Sequence, residues 1–199
     1  RISRLAIGST QTSLLSDVIR VDPDVTQEEH VVGLPMGTRG GVSIPYTFAQ
    51  DGQYDIQVHL ARNRNGNIGG LRHPQPHELE LLLDREPVAT FTVEKPASGD
   101  DAFVDRDLKA RLTVTAGPHD LGVTFLKNSS SLYETERQPL QSHFNETRHP
   151  RQTPGIYQIS VTGPYGPGGA HDTPSRRRIF VCQPAGLSEE ETCAREILT

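Results

Sequence analysis

The chain has 199 residues, 34% of them hydrophobic, with 20 Lys+Arg against 25 Asp+Glu for a formal net charge of -5. That size fits one domain, or one domain with a fragment of the next. Its longest basic block, Arg176-Arg177-Arg178, is too short for a nucleic-acid backbone to be the main partner, because phosphate binding needs a concentrated basic face. No apolar stretch approaches the roughly 20 residues of a membrane helix. The chain opens at Arg1 with Met36 as its only methionine, as an excised piece of a longer protein would.

Short runs of alternating apolar and polar residues, bounded by Gly, Pro, Asn and Asp, predict strands almost throughout. Residues 1–30 read as an N-terminal linker. Val42, Ile44, Tyr46 and Phe48 then share one face, and Tyr54, Ile56, Val58 and Leu60 repeat the pattern. Gln50-Asp51-Gly52 between them predicts a hairpin, with Asp-Gly supplying the positive backbone torsion. Leu79, Leu81 and Leu83 lead through Asp84-Arg85-Glu86-Pro87 to Val88–Val93, a second hairpin. Leu108–Thr115, a turn at Ala116-Gly117-Pro118 and Leu121–Phe125 predict a third. A last core strand covers Ile156–Thr162. About eight such strands predict an all-β fold, an antiparallel β-sandwich of jelly-roll type spanning residues 31–163. Residues 164–199 read as a Gly/Pro-rich link, a short strand Arg178–Cys182 and a helical start capped by Ser188 with Glu191 three residues on.

Function on a rigid sandwich usually sits on loops. Three fall outside the strand pattern: Arg62–His77, Asn128–Pro154 and Gly163–Pro174. Cys182 and Cys193, with ten residues between them, match neither a paired C-x-x-C zinc site nor the C-x-x-C-H of attached haem, so this piece carries no haem. Spacing alone leaves a disulfide and two free thiols equally open.

Four motifs, Ile2-Ser-Arg-Leu-Ala-Ile-Gly8, Gly33-Leu-Pro-Met-Gly-Thr-Arg-Gly-Gly41, Asp172-Thr-Pro-Ser-Arg-Arg-Arg-Ile-Phe-Val-Cys182 and Cys193-Ala-Arg-Glu-Ile-Leu198, together resemble the central part of large planctomycete and acidobacterial multidomain proteins that join c-type cytochrome segments to domains of unknown function. The resemblance spans essentially the whole chain and implies export to the periplasm or beyond, where Cys182 and Cys193 would pair. From Val31 to Thr162 the chain is also similar to calcium-dependent xylan-binding modules. The matching stretches are Gly-Thr-Arg-Gly-Gly at 37–41, Asp-Gly-Gln-Tyr-Asp at 51–55, Leu-Leu-Asp-Arg-Glu-Pro-Val at 82–88 and Thr-Ala-Gly-Pro-His-Asp-Leu at 115–121. In that family a loop-borne Ca2+ coordinates sugar hydroxyls. Here the loop before the last strand, 151–155, departs from the pattern by carrying no carboxylate.

The densest acidic segment, Asp100, Asp101, Asp105 and Asp107, is the candidate Ca2+ site, against a solvated acidic loop; it lacks the glycine and distal Glu of an EF-hand. His143, Glu146 and His149 have zinc-capable side chains in a Pro-flanked segment, and His73 and His77 read as surface or loop-packing histidines. There is no G-x-S-x-G, no H-E-x-x-H and no phosphate-cradling glycine loop, and no enzyme is predicted. Sugars are held by aromatic faces and polar groups on their hydroxyls. With no Trp in the chain, Tyr133 and Tyr165 are the loop aromatics, while Tyr46, Tyr54 and Tyr157 fall on strands as core or corner residues. Arg39, Arg62, Asn63, Arg64, Asn65 and Asn67 would recognise hydroxyls, or the carboxylate of an acidic sugar, against a solvated-loop reading. The functional expectation is a non-catalytic polysaccharide-binding module, for a xylan-like or acidic glycan, beside neighbouring domains of its parent chain. The alternative is a structural domain–domain interaction module that buries 128–154 or 163–174.

Overall fold

The computed structural model describes residues 14–23, 25, 27–71, 75–127, 151, 153–165, 178–182, 186 and 189–198. Eight strands lie among them: β1 (Leu15–Arg20), β2 (Thr38–Phe48), β3 (Gly52–Leu60), β4 (His77–Leu83), β5 (Glu86–Val93), β6 (Lys109–Val114), β7 (Gly117–Leu126) and β8 (Ile156–Tyr165). They form two antiparallel four-stranded sheets, ordered β1-β8-β3-β6 and β2-β7-β4-β5. The alternation that predicts strands also builds the core. Ile56, Val58, Ile159 and Val161 of the first sheet and Leu79, Leu81, Leu121, Val123 and Phe125 of the second are each at most 1% exposed. The all-β sandwich and the short C-terminal helix are therefore as the sequence reads.

Connectivity differs from that reading in two of three turns. β4 and β5 form a true hairpin, whose two-residue turn places Asp84 and Arg85 at φ 53° and 70°, the left-handed torsions that a type I′ turn demands. β2 and β3 do not pair: β2 lies against β7, and β3 against β6 and β8. Likewise β6 pairs with β3 while β7 pairs with β2 and β4. Both predicted hairpins are arches that carry the chain from one sheet to the other.

The reason lies in what the two arches bury. Phe48 and Tyr54, 1% and 4% exposed, meet edge to face with centroids 4.7 Å apart, one from each sheet. The Tyr54 hydroxyl donates to the Gln50 carbonyl at 2.8 Å, closing the first arch, and burial pushes that phenol up to about 12. Asp51 is no hairpin residue, because its carboxylate accepts the Ala116 N–H of the second arch at 2.6 Å and stitches the two together. Gly52 has no positive φ and opens β3. Gly117 and Pro118 do not end a strand either; they open β7 opposite Phe48 and Thr47.

The Gly40-Gly41 pair marks an irregularity in β2. Pairing with β7 shifts register between Arg39 and Val42, with Gly40 at φ 55° and Gly41 at φ 90°. A side chain on Gly41 would overlap the Val123 carbonyl, so only glycine fits there.

Leu15–Arg20, inside the stretch read as linker, forms β1 and pairs residue by residue with β8. At the far end, a disulfide joins Cys182 to Cys193, with Cα atoms 5.7 Å apart. Cys193 lies on helix α1 (Glu190–Ile197), whose N-cap is Glu189 rather than Ser188. The predicted strand Arg178–Cys182 is absent: Arg178 and Ile179 are helical and 180–182 have no regular structure.

Candidate functional site

The chain leaving β3 folds into a tight polar loop. Asn63 organises it, its side-chain oxygen accepting the N–H groups of Asn65 and Asn67 at 2.9 and 3.0 Å. An isolated bridge between Arg62 and Ile68 closes the loop at its base. Arg62 fixes this loop to the 3-10 turn Asp101–Phe103: it donates to the carbonyls of Gly66 and Asp101 at 3.0 and 2.7 Å and to the Asp105 carboxylate at 2.7 Å. Asp105 also accepts the Leu60 N–H at 3.1 Å.

The opposite wall comes from the segments around β1 and β8. Buried Arg151 donates to the carbonyls of Pro23 and Val25 at 3.1 and 2.9 Å, and burial lowers its guanidinium from the usual value. Gln27 acts as an extra strand residue. Its side-chain amide donates to the Ile156 carbonyl at 2.7 Å and accepts the Ile156 N–H at 2.8 Å, fixing the start of β8. Pairing of β8 with β3 slips there, from His59 opposite Gln158 to Leu60 opposite Ile156. Tyr157 is thus left without a β3 partner and stands 41% exposed.

Between these walls lies a cleft of about 340 Å³. Val21, Pro23, Ala61, Ile156 and Tyr157 give it an apolar side, and Asn63, Asn65, Arg62 and Arg151 a polar one. The guanidiniums of Arg62 and Arg151 are largely spent on protein acceptors. Tyr157 and the two asparagine amides are the groups that a ligand would meet.

The sequence-predicted ligand residues divide accordingly. Arg62, Asn63 and Asn65 line the cleft, and Arg64 and Asn67 lie exposed on the same loop. Arg39 does not belong with them: it is 4% exposed, its guanidinium 4.7 Å over the Phe125 ring with NH1 donating to the Pro154 carbonyl at 3.1 Å. Tyr165 is not a loop residue but the last of β8, eight residues from Tyr157, or about 26 Å along the strand. There the Arg111 guanidinium covers its ring at 4.3 Å and grips Asp55 through two bonds of 2.7 and 2.8 Å. Those hydrogen bonds hold the Asp55 carboxyl below its ordinary value. Tyr133, His73 and the His143, Glu146, His149 set lie outside the described residues. His77 is 1% exposed with one ring nitrogen 3.3 Å from the Gly70 carbonyl, a loop-packing role.

Three of the four aspartates offered for calcium spend carboxylate oxygens on the protein itself. Asp100 caps the Ala102 N–H at 2.9 Å, Asp101 accepts the Ile68 N–H at 2.9 Å, and Asp105 faces Arg62 and Leu60. Among the described residues no three His, Cys, Asp or Glu side chains are grouped to hold a metal.

Tyr157 is the residue that sequence reasoning missed. Its phase with Ile159 and Val161 marks it as core, and only the slip at Leu60 turns it outward; Arg151 carries no local signal at all.

No protein-family profile and no curated protein matches the chain. Solved structures resemble it loosely. One is the CBM35 from Cellvibrio japonicus Abf62, 13% identical with a TM-score of 0.37 over 79% of this chain and 98% of that one. Another is a family 35 carbohydrate binding module from Clostridium thermocellum, 8% identical with a TM-score of 0.32 over 74% of this chain and 90% of that one. A β-glucosidase from Paenibacillus barengoltzii is 12% identical with a TM-score of 0.34, over 64% of this chain but only 10% of that one. At such overlap the likeness carries no assignment of function.

Proposed function

We propose that the protein is a non-catalytic carbohydrate-binding module of an exported multidomain protein, holding a xylan-like polysaccharide in the cleft between the 61–69 loop and the start of β8. The carrying observation is Tyr157, exposed on the apolar wall of a cleft whose other wall presents Asn63 and Asn65. A pyranose ring offers an apolar face to the tyrosine and hydroxyls to the amides. Asp105 pairs with Arg62, so that guanidinium is not free to select an acidic sugar. Among the described residues that line the cleft none is a carboxylate, histidine, serine or cysteine. The disulfide supports an oxidising compartment. Among the described residues no helix is long and apolar enough to cross a membrane. Calcium enters no step of this reading: Asp101 and Asp105 are engaged by Ile68 and Arg62.

Calorimetric titration with soluble xylan and other polysaccharides, with and without Ca2+, tests the proposal. Binding to a neutral polymer that Tyr157→Ala weakens supports it; silence throughout overturns it. The second reading, a domain–domain interaction module, is favoured by Val32 and Met36, 91% and 88% exposed on the loop before β2.

A further inference from the structure

A second cleft, of about 510 Å³, lies where the β5 edge of one sheet meets the connection to β6 in the other. Its apolar lining includes Phe91, Val104 and Leu108, and Phe103 stands 58% exposed beside them. One side of the Phe103 ring is covered by the Arg106 guanidinium at 4.2 Å. The polar lining includes Glu94, Asp100 and Asp107 and the hydroxyl residues Thr90 and Ser98. None of the three acids takes part in an ion pair among the described residues. Asp101 and Asp105, by contrast, face the other way and are consumed by the first cleft's loop.

An exposed aromatic beside an apolar floor accepts the flat face of a sugar ring, and acceptor-only carboxylates around it select a ligand rich in donors and positive charge. A lysine side chain would need only a narrow channel, not a floor of this breadth. We propose that this cleft binds an amino sugar carrying a free ammonium, as a unit of a hexosamine polysaccharide. The site is separate from the first cleft and does not depend on the reading given above.

The test is titration of the whole chain at about pH 6, where a sugar amine is protonated, with a glucosamine oligomer, its N-acetylated counterpart and an oligolysine of equal charge. The glucosamine oligomer is expected to bind at least about tenfold more tightly than the N-acetylated one. Glu94→Gln with Asp107→Asn, and separately Phe103→Ala, should each cost about tenfold or more, with unchanged thermal melting and with Tyr157→Ala without effect. Equal affinity for the two sugars, or no binding, would overturn the proposal on the unaltered protein alone. Oligolysine binding as tightly as glucosamine, indifferent to Phe103→Ala, would overturn it by reducing the cleft to a charged patch. Loss through Tyr157→Ala alone would also overturn it, by moving the ligand to the first cleft.

Discussion

A few side chains do work that their residue type does not announce. Tyr54 reads as one of several strand aromatics, yet its hydroxyl closes the β2–β3 arch from a buried position. Tyr54→Phe leaves the Gln50 carbonyl without that donor and should destabilise the protein by about 1–2 kcal/mol, read from the denaturant midpoint at unchanged slope. Asp55 shows the sign of its contribution clearly. Its folded value lies below the ordinary carboxylate because Arg111 bonds it, so it stabilises the fold above about pH 4 and loses that effect as pH falls through the lower folded value. The unfolding midpoint of the wild type should therefore drop more steeply below about pH 4 than that of Asp55→Asn; parallel curves would show that the pair adds nothing. Arg39 and Tyr157 exchanged places between sequence and structure: the arginine went into the core over Phe125, and the tyrosine came out.

At the scale of elements, strands were legible and their pairing was not. Period-two alternation located β2 to β8 because each buries one face. Whether Gln50-Asp51-Gly52 makes a hairpin or an arch depends on Ala116 and on the packing of Phe48 with Tyr54, partners that no local window contains. β4–β5 alone was decided locally, by a two-residue turn. β1 escaped notice because Leu15 and Val18 are 44% and 51% exposed, leaving a weak alternation on an edge strand. Gly41, quoted only as part of a motif, turns out to be a packing requirement. Gly41→Ala combines a left-handed torsion with a backbone clash and should cost several kcal/mol, about 3 or more, seen as loss of soluble folded protein or a much lower melting temperature.

For the whole molecule, two four-stranded sheets close over one core, and the segments at one end of β3 and β8 are drawn together by Gln27, Arg62 and Arg151 into a cleft. The 62–67 loop was legible as a candidate surface because its Arg and Asn content stands out, and Arg62, Asn63 and Asn65 do line the cleft. The wall opposite it was not, since it brings Val21 and Pro23 together with Arg151, Ile156 and Tyr157, more than a hundred positions apart. Non-reducing peptide mapping should recover a Cys182–Cys193 link, and two free thiols in protein from an oxidising compartment would contradict the pairing. The measurement that bears most directly on function is calorimetric titration of soluble xylan into the wild type and Tyr157→Ala. The account predicts binding by the wild type and at least about tenfold weaker binding by the variant, with both melting alike. Equal affinity in the two proteins, or no heat from any neutral polysaccharide, would contradict it.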